Sequence, residues 1–259
     1  MLSKSDLADL KQAKSLLENP GLVAKLSSML GSPVERGVKM LPNSWQRNVH
    51  KATEAALMKA LDMAVTSLGE RPRLKSQDSF HRMAAAASGA AGGALGLMAL
   101  SWELPLSTTV MLRSIADIAA SEGENPRHID TKLACLTVFA LGSEKDKRDN
   151  AAESGYFATR AALASAVSEA TKYLAQKGMA KTGAPALVRL VTAIGGRFGV
   201  VVGEKAAAQA IPIIGAAGGA MINTVFIGHF QDMARGHFIV RRLEKIHGAD
   251  PVRAAYEKA

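Results

Sequence analysis

Three clusters of glycine inside long apolar stretches are the feature that most limits how this chain can fold. The clusters are "SGAAGGALG", "IGGRFGVVVG" and "IIGAAGG", in which glycines recur four positions apart: Gly89 with Gly93, Gly92 with Gly96, Gly195 with Gly199, Gly199 with Gly203, and Gly215 with Gly219. Glycine inside a helix costs about 1 kcal/mol relative to alanine, so the clusters require a compensating interaction. Close approach of helix backbones supplies one, because a missing side chain lets two helix axes come nearer.

The composition also favours closely packed helices. Of the 259 residues, 48% are hydrophobic but only 5% are aromatic, and alanine, glycine and leucine make up most of the apolar content. β-Sheets are enriched in β-branched and aromatic residues instead. We therefore predict an all-α fold, a single compact helical domain over 1–259, with glycine-rich central helices in small-xxx-small contact.

Two runs without charge are long enough to cross a membrane. They cover 20 residues at 83–102 and 23 residues at 206–228, and a transmembrane helix needs about 20 apolar residues. The first run is mostly alanine and glycine, and the second contains Gln209, Pro212 and Asn223. Burial in a protein core is the interpretation we favour, and insertion into a membrane stays open.

The chain is basic, with a net charge of +9 and a pI of about 9.7. A positive surface attracts anionic lipid or nucleic acid. The sequence lacks zinc-finger spacing, a basic heptad helix and an RNP-like strand, so we predict no nucleic-acid partner. Seven residues in the N-terminal third are candidates for contact with a membrane surface: Lys11, Lys14, Lys25, Lys51, Arg71, Arg73 and Lys75.

The cysteine count and the N-terminal residues point to the cytoplasm. The single cysteine, Cys135, excludes an intramolecular disulfide, and its apolar context predicts a buried structural thiol. The N-terminal residues are amphipathic and carry charges throughout, unlike a secretory signal. We expect a cytoplasmic protein that associates peripherally with a membrane.

The motifs of several enzyme classes are missing from the sequence. There is no G-x-x-x-x-G-K-[ST] nucleotide loop, no G-x-S-x-G elbow and no H-E-x-x-H. A single cysteine also cannot form a thiolate zinc site. We assign no catalytic residue, metal ion or cofactor.

What remains is a group of polar residues in apolar surroundings. The candidates for a polar cluster in the core are Glu103, Arg113, Asp117, Arg160, His229, Asp232 and His237. They form either ion pairs that fix the register of the helices or a ligand, metal or hydrolytic site in the bundle. Structural pairing is the interpretation we favour.

Helix geometry limits a metal site at the two histidines. His229 and Asp232 lie about 60° apart around a helix, whereas His237 lies about 12 Å further along the axis. One unbroken helix therefore cannot bring both histidines to one metal ion. A break at Gly236 would remove this restriction.

Several segments, in order along the chain, resemble the EcsC protein family. They are "LGSPVERGVKMLP", "SGAAGGALGLMALSWELPLSTTVMLRSIADIA", "FALG", "ESGYFATRAAL" and "AIPIIGAAGGAMINTVFIGHFQDMARGHFIVRRLE". The resemblance covers about 28–248, which leaves amphipathic N-terminal helices at 1–30 and a short tail at 249–259. It implies a helical domain in a setting linked to an ABC transporter, and it supplies no catalytic residues.

We expect a non-enzymatic accessory protein that interacts with membrane lipid, with anionic lipid or transporter components as partners. In this hypothesis the basic residues attract lipid, and the apolar segments enter an acyl environment or enclose an acyl chain. One alternative is a metal-dependent or other hydrolase with its site at Glu103, His229, Asp232 and His237. Another is a protein-binding scaffold, for which a large exposed apolar patch is typical.

Overall fold

The structure is a computed structural model that describes residues 2–18, 22, 25, 26, 43–67, 82, 83, 86, 100–142, 155–177, 183–209 and 215–259. These residues form eight α-helices and no β-strand: α1 (Lys4–Leu17), α2 (Asn43–Ser67), α3 (Leu100–Ser121), α4 (Ile129–Thr137), α5 (Gly155–Lys177), α6 (Pro185–Gln209), α7 (Gly215–His247) and α8 (Ala249–Lys258). A 3₁₀ turn, Val138–Ala140, follows α4. The prediction of a single all-α domain is confirmed.

The longest described helix, α7, organises the packing. Its 33 residues span about 50 Å at 1.5 Å per residue. Helices α1, α3, α6 and α8 pack against α7, while α2 packs against α3 and α6. Helix α5 packs mainly against α6 and α4. The side chains that bridge α5 and α7 therefore lie in a region where the two helices make little direct contact.

Helix α1 shows how local sequence and packing cooperate. The hydroxyl of Ser3 accepts a hydrogen bond from the Asp6 backbone at 3.1 Å, and the Asp6 carboxylate accepts one from the Ser3 backbone at 2.8 Å. This reciprocal capping box starts the helix. Leu10, Ala13 and Leu17 then form a buried stripe that holds α1 on the bundle.

Four phenylalanines form the centre of the core. Phe139 of the 3₁₀ turn, Phe198 of α6, and Phe226 and Phe230 of α7 contact one another with ring centroids 5.0 to 6.2 Å apart. Tilted and edge-to-face ring pairs of this kind contribute beyond their buried area. Four of the chain's seven phenylalanines thus meet where α6 and α7 pack together.

The glycines contribute to packing in a different way from the one that the sequence suggests. A Cβ at Gly195 or Gly199 would make ordinary contact with α2, and a Cβ at Gly203 would meet nothing within 4 Å. The close approach is at Gly236, where a Cβ would lie 2.6 Å from Leu17 Cγ in α1. Gly89, Gly92, Gly93 and Gly96 lie outside the described residues.

The two uncharged runs do not coincide with single described helices. Most of 83–102 lies outside the described residues, and 206–228 contains the end of α6 and the first part of α7. Among the described helices, α6 is the one long and apolar enough to cross a membrane, and 44% of its most apolar window is buried inside the protein. Whether any segment inserts into a membrane therefore stays a prediction.

Candidate ligand-binding site

Glu103 is the centre of a buried polar cluster that joins three helices. Its carboxylate accepts hydrogen bonds from Lys205 Nζ at 2.7 Å, Asn223 Nδ2 at 2.7 Å and Gln209 Nε2 at 3.1 Å. The side chains of Glu103 and Lys205 are both fully buried. Glu103 belongs to α3, Lys205 and Gln209 to α6, and Asn223 to α7. The cluster therefore fixes the relative positions of these three helices.

The donors around Glu103 keep its carboxylate ionised. Burial by itself would raise the pKa of Glu103, but the charge of Lys205 and the hydrogen bonds from Lys205, Gln209 and Asn223 together lower it. The ammonium of Lys205 also lies 4.8 Å from the centre of the Phe226 ring, which adds a cation–π contact. The carboxylate of Glu103 is engaged by three protein donors, so its role here is structural.

Lys205 is the partner of Glu103 that the sequence-based candidates omit. It lies in "GEKAAAQAIPIIG", next to the uncharged run that starts at position 206. A lysine within such apolar surroundings requires a buried counter-charge, and this signal could have identified it. The pairing with Glu103, 102 positions away, could not be read from the spacing.

His229 and Asp232 are on one helix but have different surroundings. Asp232 is half-buried and pairs with Lys25 at 2.9 Å. His229 is buried, and neither of its ring nitrogens has a hydrogen-bond partner among the described residues. Burial, with a smaller contribution from the charge of Lys25, lowers the pKa of His229 to about 3. The imidazole is therefore neutral, and its ring packs against Gly142, where a Cβ would lie 2.7 Å from Nε2.

Arg113 and Asp117, one turn apart on α3, differ in burial. Arg113 is exposed and Asp117 is half-buried on α3. Arg113 therefore does not join Glu103 or His229 in the core. The expectation that it lies partly buried within a polar centre is wrong, because its side chain is exposed while Leu112 and Ser114 beside it face the core.

Arg160 and His237 form a second polar network that bridges α5 and α7. Arg160 donates to both carboxylate oxygens of Glu244, at 2.8 and 2.9 Å, and to the Tyr156 hydroxyl at 3.3 Å. The same hydroxyl lies 2.9 Å from Nδ1 of His237. Tyr156 and His237 are buried, and Arg160 is half-buried. The network thus connects two helices that make little backbone contact.

The protonation of this network follows from its burial. Burial and the positive charges of Arg160 and Arg241 hold the pKa of His237 well below its ordinary value, and burial raises the pKa of Tyr156. Both groups are therefore neutral. The hydroxyl of Tyr156 and Nδ1 of His237 share one hydrogen bond, and Nε2 of His237 has no hydrogen-bond partner among the described residues.

A pocket of about 370 Å³ adjoins this network, between α4, α5 and α7. We call it the α4–α5–α7 pocket. Its apolar wall consists of Ala134, Leu141, Leu163, Ala164 and Val167. Its polar lining consists of Asp130, Thr137, Arg160, Ser168, His237 and Arg241. The volume is within the range of about 300–1,000 Å³ that is usual for small-molecule sites. An apolar wall with a few convergent polar groups is also typical of such sites.

Glu124 fixes the position of Arg241 at the pocket. Its carboxylate accepts from Arg241 Nε at 3.1 Å and from Thr131 at 2.9 Å, and it pairs with Lys245 at 2.8 Å. Burial would raise the pKa of Glu124, but Lys245, Arg241 and Thr131 together lower it. The guanidinium of Arg241 is thereby oriented through Nε, and its two terminal nitrogens are left for other partners.

The residues of the hydrolase alternative are not brought together. Glu103 binds Lys205, Asp232 binds Lys25, His237 contacts Tyr156, and His229 is buried with no hydrogen-bond partner among the described residues. Helix α7 is continuous through Gly236, so the break that a two-histidine metal site requires is missing. No group of three potential metal ligands occurs within the described part of the chain.

The basic residues proposed for a membrane surface differ in exposure. Lys11 and Lys51 are exposed, whereas Lys14 lies 5.6 Å from the centre of the Tyr256 ring. Lys25 is engaged by Asp232 and is less available for lipid than the sequence suggests. Arg71, Arg73 and Lys75 lie outside the described residues. Cys135 is fully buried, as expected, and burial raises the pKa of its thiol.

Comparison with known proteins agrees with the helical architecture. The EcsC protein family matches residues 4–243 of the 259. The chain belongs to the EcsC protein family. The match begins in α1, so it includes the N-terminal helix that lies before position 28, and it ends in α7. No curated protein and no solved structure matches the chain.

Proposed function

We propose that this EcsC family member is a non-enzymatic, membrane-associated protein that interacts with anionic lipid. The observation that carries the proposal is the α4–α5–α7 pocket, which combines an apolar wall with two arginines, Arg160 and Arg241. Amphiphilic molecules present the same combination of an apolar chain and a polar head. A net charge of +9 supports the proposal, since it attracts the protein to an anionic surface.

The arrangement of the buried ionisable groups favours binding over catalysis. A general acid or base must reach a substrate, and a buried group that is saturated by protein partners does not. Glu103 is saturated in this way by Lys205, Gln209 and Asn223. His229 is buried and neutral, with no carboxylate partner among the described residues to orient it. The saturated carboxylate of Glu103 and the buried, neutral ring of His229 support a structural role for both groups.

Flotation with lipid vesicles tests the proposal. The full chain is mixed with vesicles of phosphatidylcholine alone or with phosphatidylglycerol added, at low and at high salt. We expect flotation with the anionic vesicles at low salt and less at high salt, because screening weakens attraction between exposed charges. Absence of flotation with anionic vesicles at low salt would contradict the proposal.

Charge-reversal variants identify the surface that contacts lipid. The double variant Lys11→Glu with Lys51→Glu changes two exposed lysines of α1 and α2, whereas Lys172→Glu with Lys177→Glu makes the same charge change on α5. We expect the first variant to lose most of its flotation and the second to lose less. Equal losses would show that net charge, and not these two N-terminal lysines, directs binding.

A further inference from the structure

We infer that the α4–α5–α7 pocket binds a single-chain amphiphile with one negatively charged head group, and that Arg241 binds the head. This inference deepens the proposed function, on which it rests, by assigning a ligand class to a defined site. It follows from the unfilled hydrogen-bond donors at the pocket, the apolar wall, the volume and the balance of charges.

Arg241 has the largest unfilled donor capacity at the pocket. Its Nε donates to Glu124 at 3.1 Å, and Nη1 and Nη2 have no hydrogen-bond partner among the described residues. A guanidinium presents five N–H groups in a planar fork, so four of them are available. A carboxylate or phosphate accepts such a fork in a bidentate arrangement. An oxyanion therefore completes the coordination of Arg241.

Arg160 has a different part in the same site. Three of its N–H groups already donate to Glu244 and Tyr156. The bidentate pair with Glu244 and the contact with Tyr156 keep the guanidinium fixed against the pocket wall. Arg160 is thus a positioning residue, which links α5 to α7 beside the pocket.

The apolar wall indicates what is attached to the head. Leu163, Ala164 and Val167 of α5 line the pocket. Ala134 of α4 and Leu141, which follows the 3₁₀ turn, also line it. The volume of about 370 Å³ lies near the lower end of the range of about 300–1,000 Å³ for small-molecule sites. A straight-chain carboxylate of about eight to ten carbons is a ligand of that size class.

The charges around the pocket favour a single negative charge on the ligand. Arg160, Arg241 and Lys245 supply three positive charges, and Glu124, Glu244 and Asp130 supply three negative ones. His237 is neutral. The attraction therefore comes from the unfilled donors of Arg241 and not from a net charge. The exposed carboxylate of Asp130 repels a second negative charge, which disfavours a dianionic phosphate.

Isothermal titration calorimetry of the full chain with decanoate, below its micelle concentration, tests the inference. We expect saturable binding of decanoate and none of decanol or decyltrimethylammonium. In a series from hexanoate to tetradecanoate, affinity should rise by up to about fourfold per added methylene and stop rising near ten carbons. Absence of decanoate binding, or equal binding of decanol, would overturn the inference.

Two variants locate the ligand in this pocket. Arg241→Gln should weaken decanoate binding about 10- to 100-fold, since it removes a charge-assisted hydrogen bond, while Lys245 and Thr131 still satisfy Glu124. Ala164→Trp fills the pocket from an exposed position of α5 and should abolish binding. Ala162→Trp, exposed on the same helix but outside the lining, is the matched control and should bind normally. Unchanged binding in both Arg241→Gln and Ala164→Trp would overturn the assignment.

Asp130→Asn tests the choice between head groups. In this variant the ratio of decyl phosphate affinity to decanoate affinity should be at least about twofold higher than in the unaltered protein. The reason is that the variant removes one negative charge that repels the phosphate, and even in water, with a dielectric constant of about 80, such repulsion has an effect of this size. Tighter binding of a zwitterionic decyl ligand than of decanoate in the unaltered protein would overturn the monoanionic class and assign Asp130 to a ligand cation.

The calorimetry and the flotation assay test the pocket and the membrane association separately. Decanoate binding by a protein that does not float with anionic vesicles would support the pocket and contradict the membrane-associated function. Flotation without binding of any single-chain anion would support the function and overturn the pocket assignment.

Discussion

Removing either member of the buried pair Glu103–Lys205 should destabilise the protein strongly, whereas removing both should be tolerated better. Both side chains are fully buried, with 2.7 Å between Lys205 Nζ and Glu103 Oε1. Loss of one partner leaves an uncompensated charge in a medium of low polarity, which typically costs about 3–5 kcal/mol of unfolding free energy. Replacing both removes the two desolvation penalties together.

The other contacts of the pair make the two single variants unequal. In Lys205→Met the carboxylate of Glu103 keeps hydrogen bonds from Asn223 and Gln209. In Glu103→Met the ammonium of Lys205 keeps only the Phe226 ring, at 4.8 Å, as a favourable electrostatic contact among the described residues. We therefore expect a loss of about 3 kcal/mol for Lys205→Met and about 4–5 kcal/mol for Glu103→Met.

Urea denaturation followed by far-UV circular dichroism measures these differences. The double variant should be less destabilised than the sum of the single variants by about 2–3 kcal/mol, within the range of coupling energies for residues in direct contact. The exposed pair Arg189–Glu169, 2.6 Å apart with side chains 62% and 44% exposed, is the control. Its removal should cost less than about 1 kcal/mol.

The unfolding free energy should also fall in acid because of Glu103. The pKa of Glu103 is lowered in the folded protein, so the folded state binds fewer protons than the unfolded state as the pH falls. The stability from this group is present above its unfolded pKa, near 4.5, and is lost as the pH drops through the folded value.

Two outcomes of the denaturation experiment would refute this account of the Glu103–Lys205 pair. One is a cost of less than about 1 kcal/mol for the single variants, and the other is additivity in the double variant.

The remaining predictions concern α7 and the vesicle assay. Gly236→Ala should lower the unfolding free energy by about 1–3 kcal/mol through overpacking against Leu17, whereas Gly228→Ala, with nothing within 4 Å, should raise it by up to about 1 kcal/mol. Equal effects in denaturant titrations would contradict the close contact at Gly236. His229 has a folded pKa of about 3 against 6.5 in the unfolded chain, so protonation of the unfolded state should remove about 2 kcal/mol between pH 6.5 and 4.5. His229→Leu should lose this acid sensitivity, and parallel stability profiles from pH 7 to 4.5 would be evidence against a neutral buried ring. Ala164→Trp should still float with anionic vesicles if surface charge brings the protein to the membrane, and loss of flotation would show that the pocket itself makes that contact.

The helical architecture could be predicted from local features of the sequence. Low aromatic content, apolar periodicity and abundant alanine all favour helices, because they act through neighbouring residues on one chain segment. Burial of Cys135 followed for the same reason. The small-residue spacing also indicated close helix contacts, but of the glycines that the structure describes, the one in tightest contact lies elsewhere. Within the described residues a Cβ at Gly203 would meet nothing within 4 Å, and the shortest Cβ distance is at Gly236, outside the glycine clusters.

The candidate site could be predicted only in part. Arg160 and His237 do line a pocket together, and both were expected in a polar cluster. Glu103 and Asp232 were expected there as well, but each is engaged elsewhere, with Lys205 and Lys25. One sequence shows which residues are charged in apolar surroundings, and it does not show how the helices that carry them cross.

The sequence by itself therefore determined that this chain is helical, that its core uses small residues, and that several charges must be buried and paired. Only the tertiary structure decided the partners, since Glu103 and Lys205 are 102 positions apart and Arg160 and Glu244 are 84 apart. The physical reason is that helix formation depends on contacts within a few residues, whereas ion pairing depends on the crossing of distant helices. The pocket beside Arg241 arises from the same crossings, because α5 and α7 are held together by side chains across a gap.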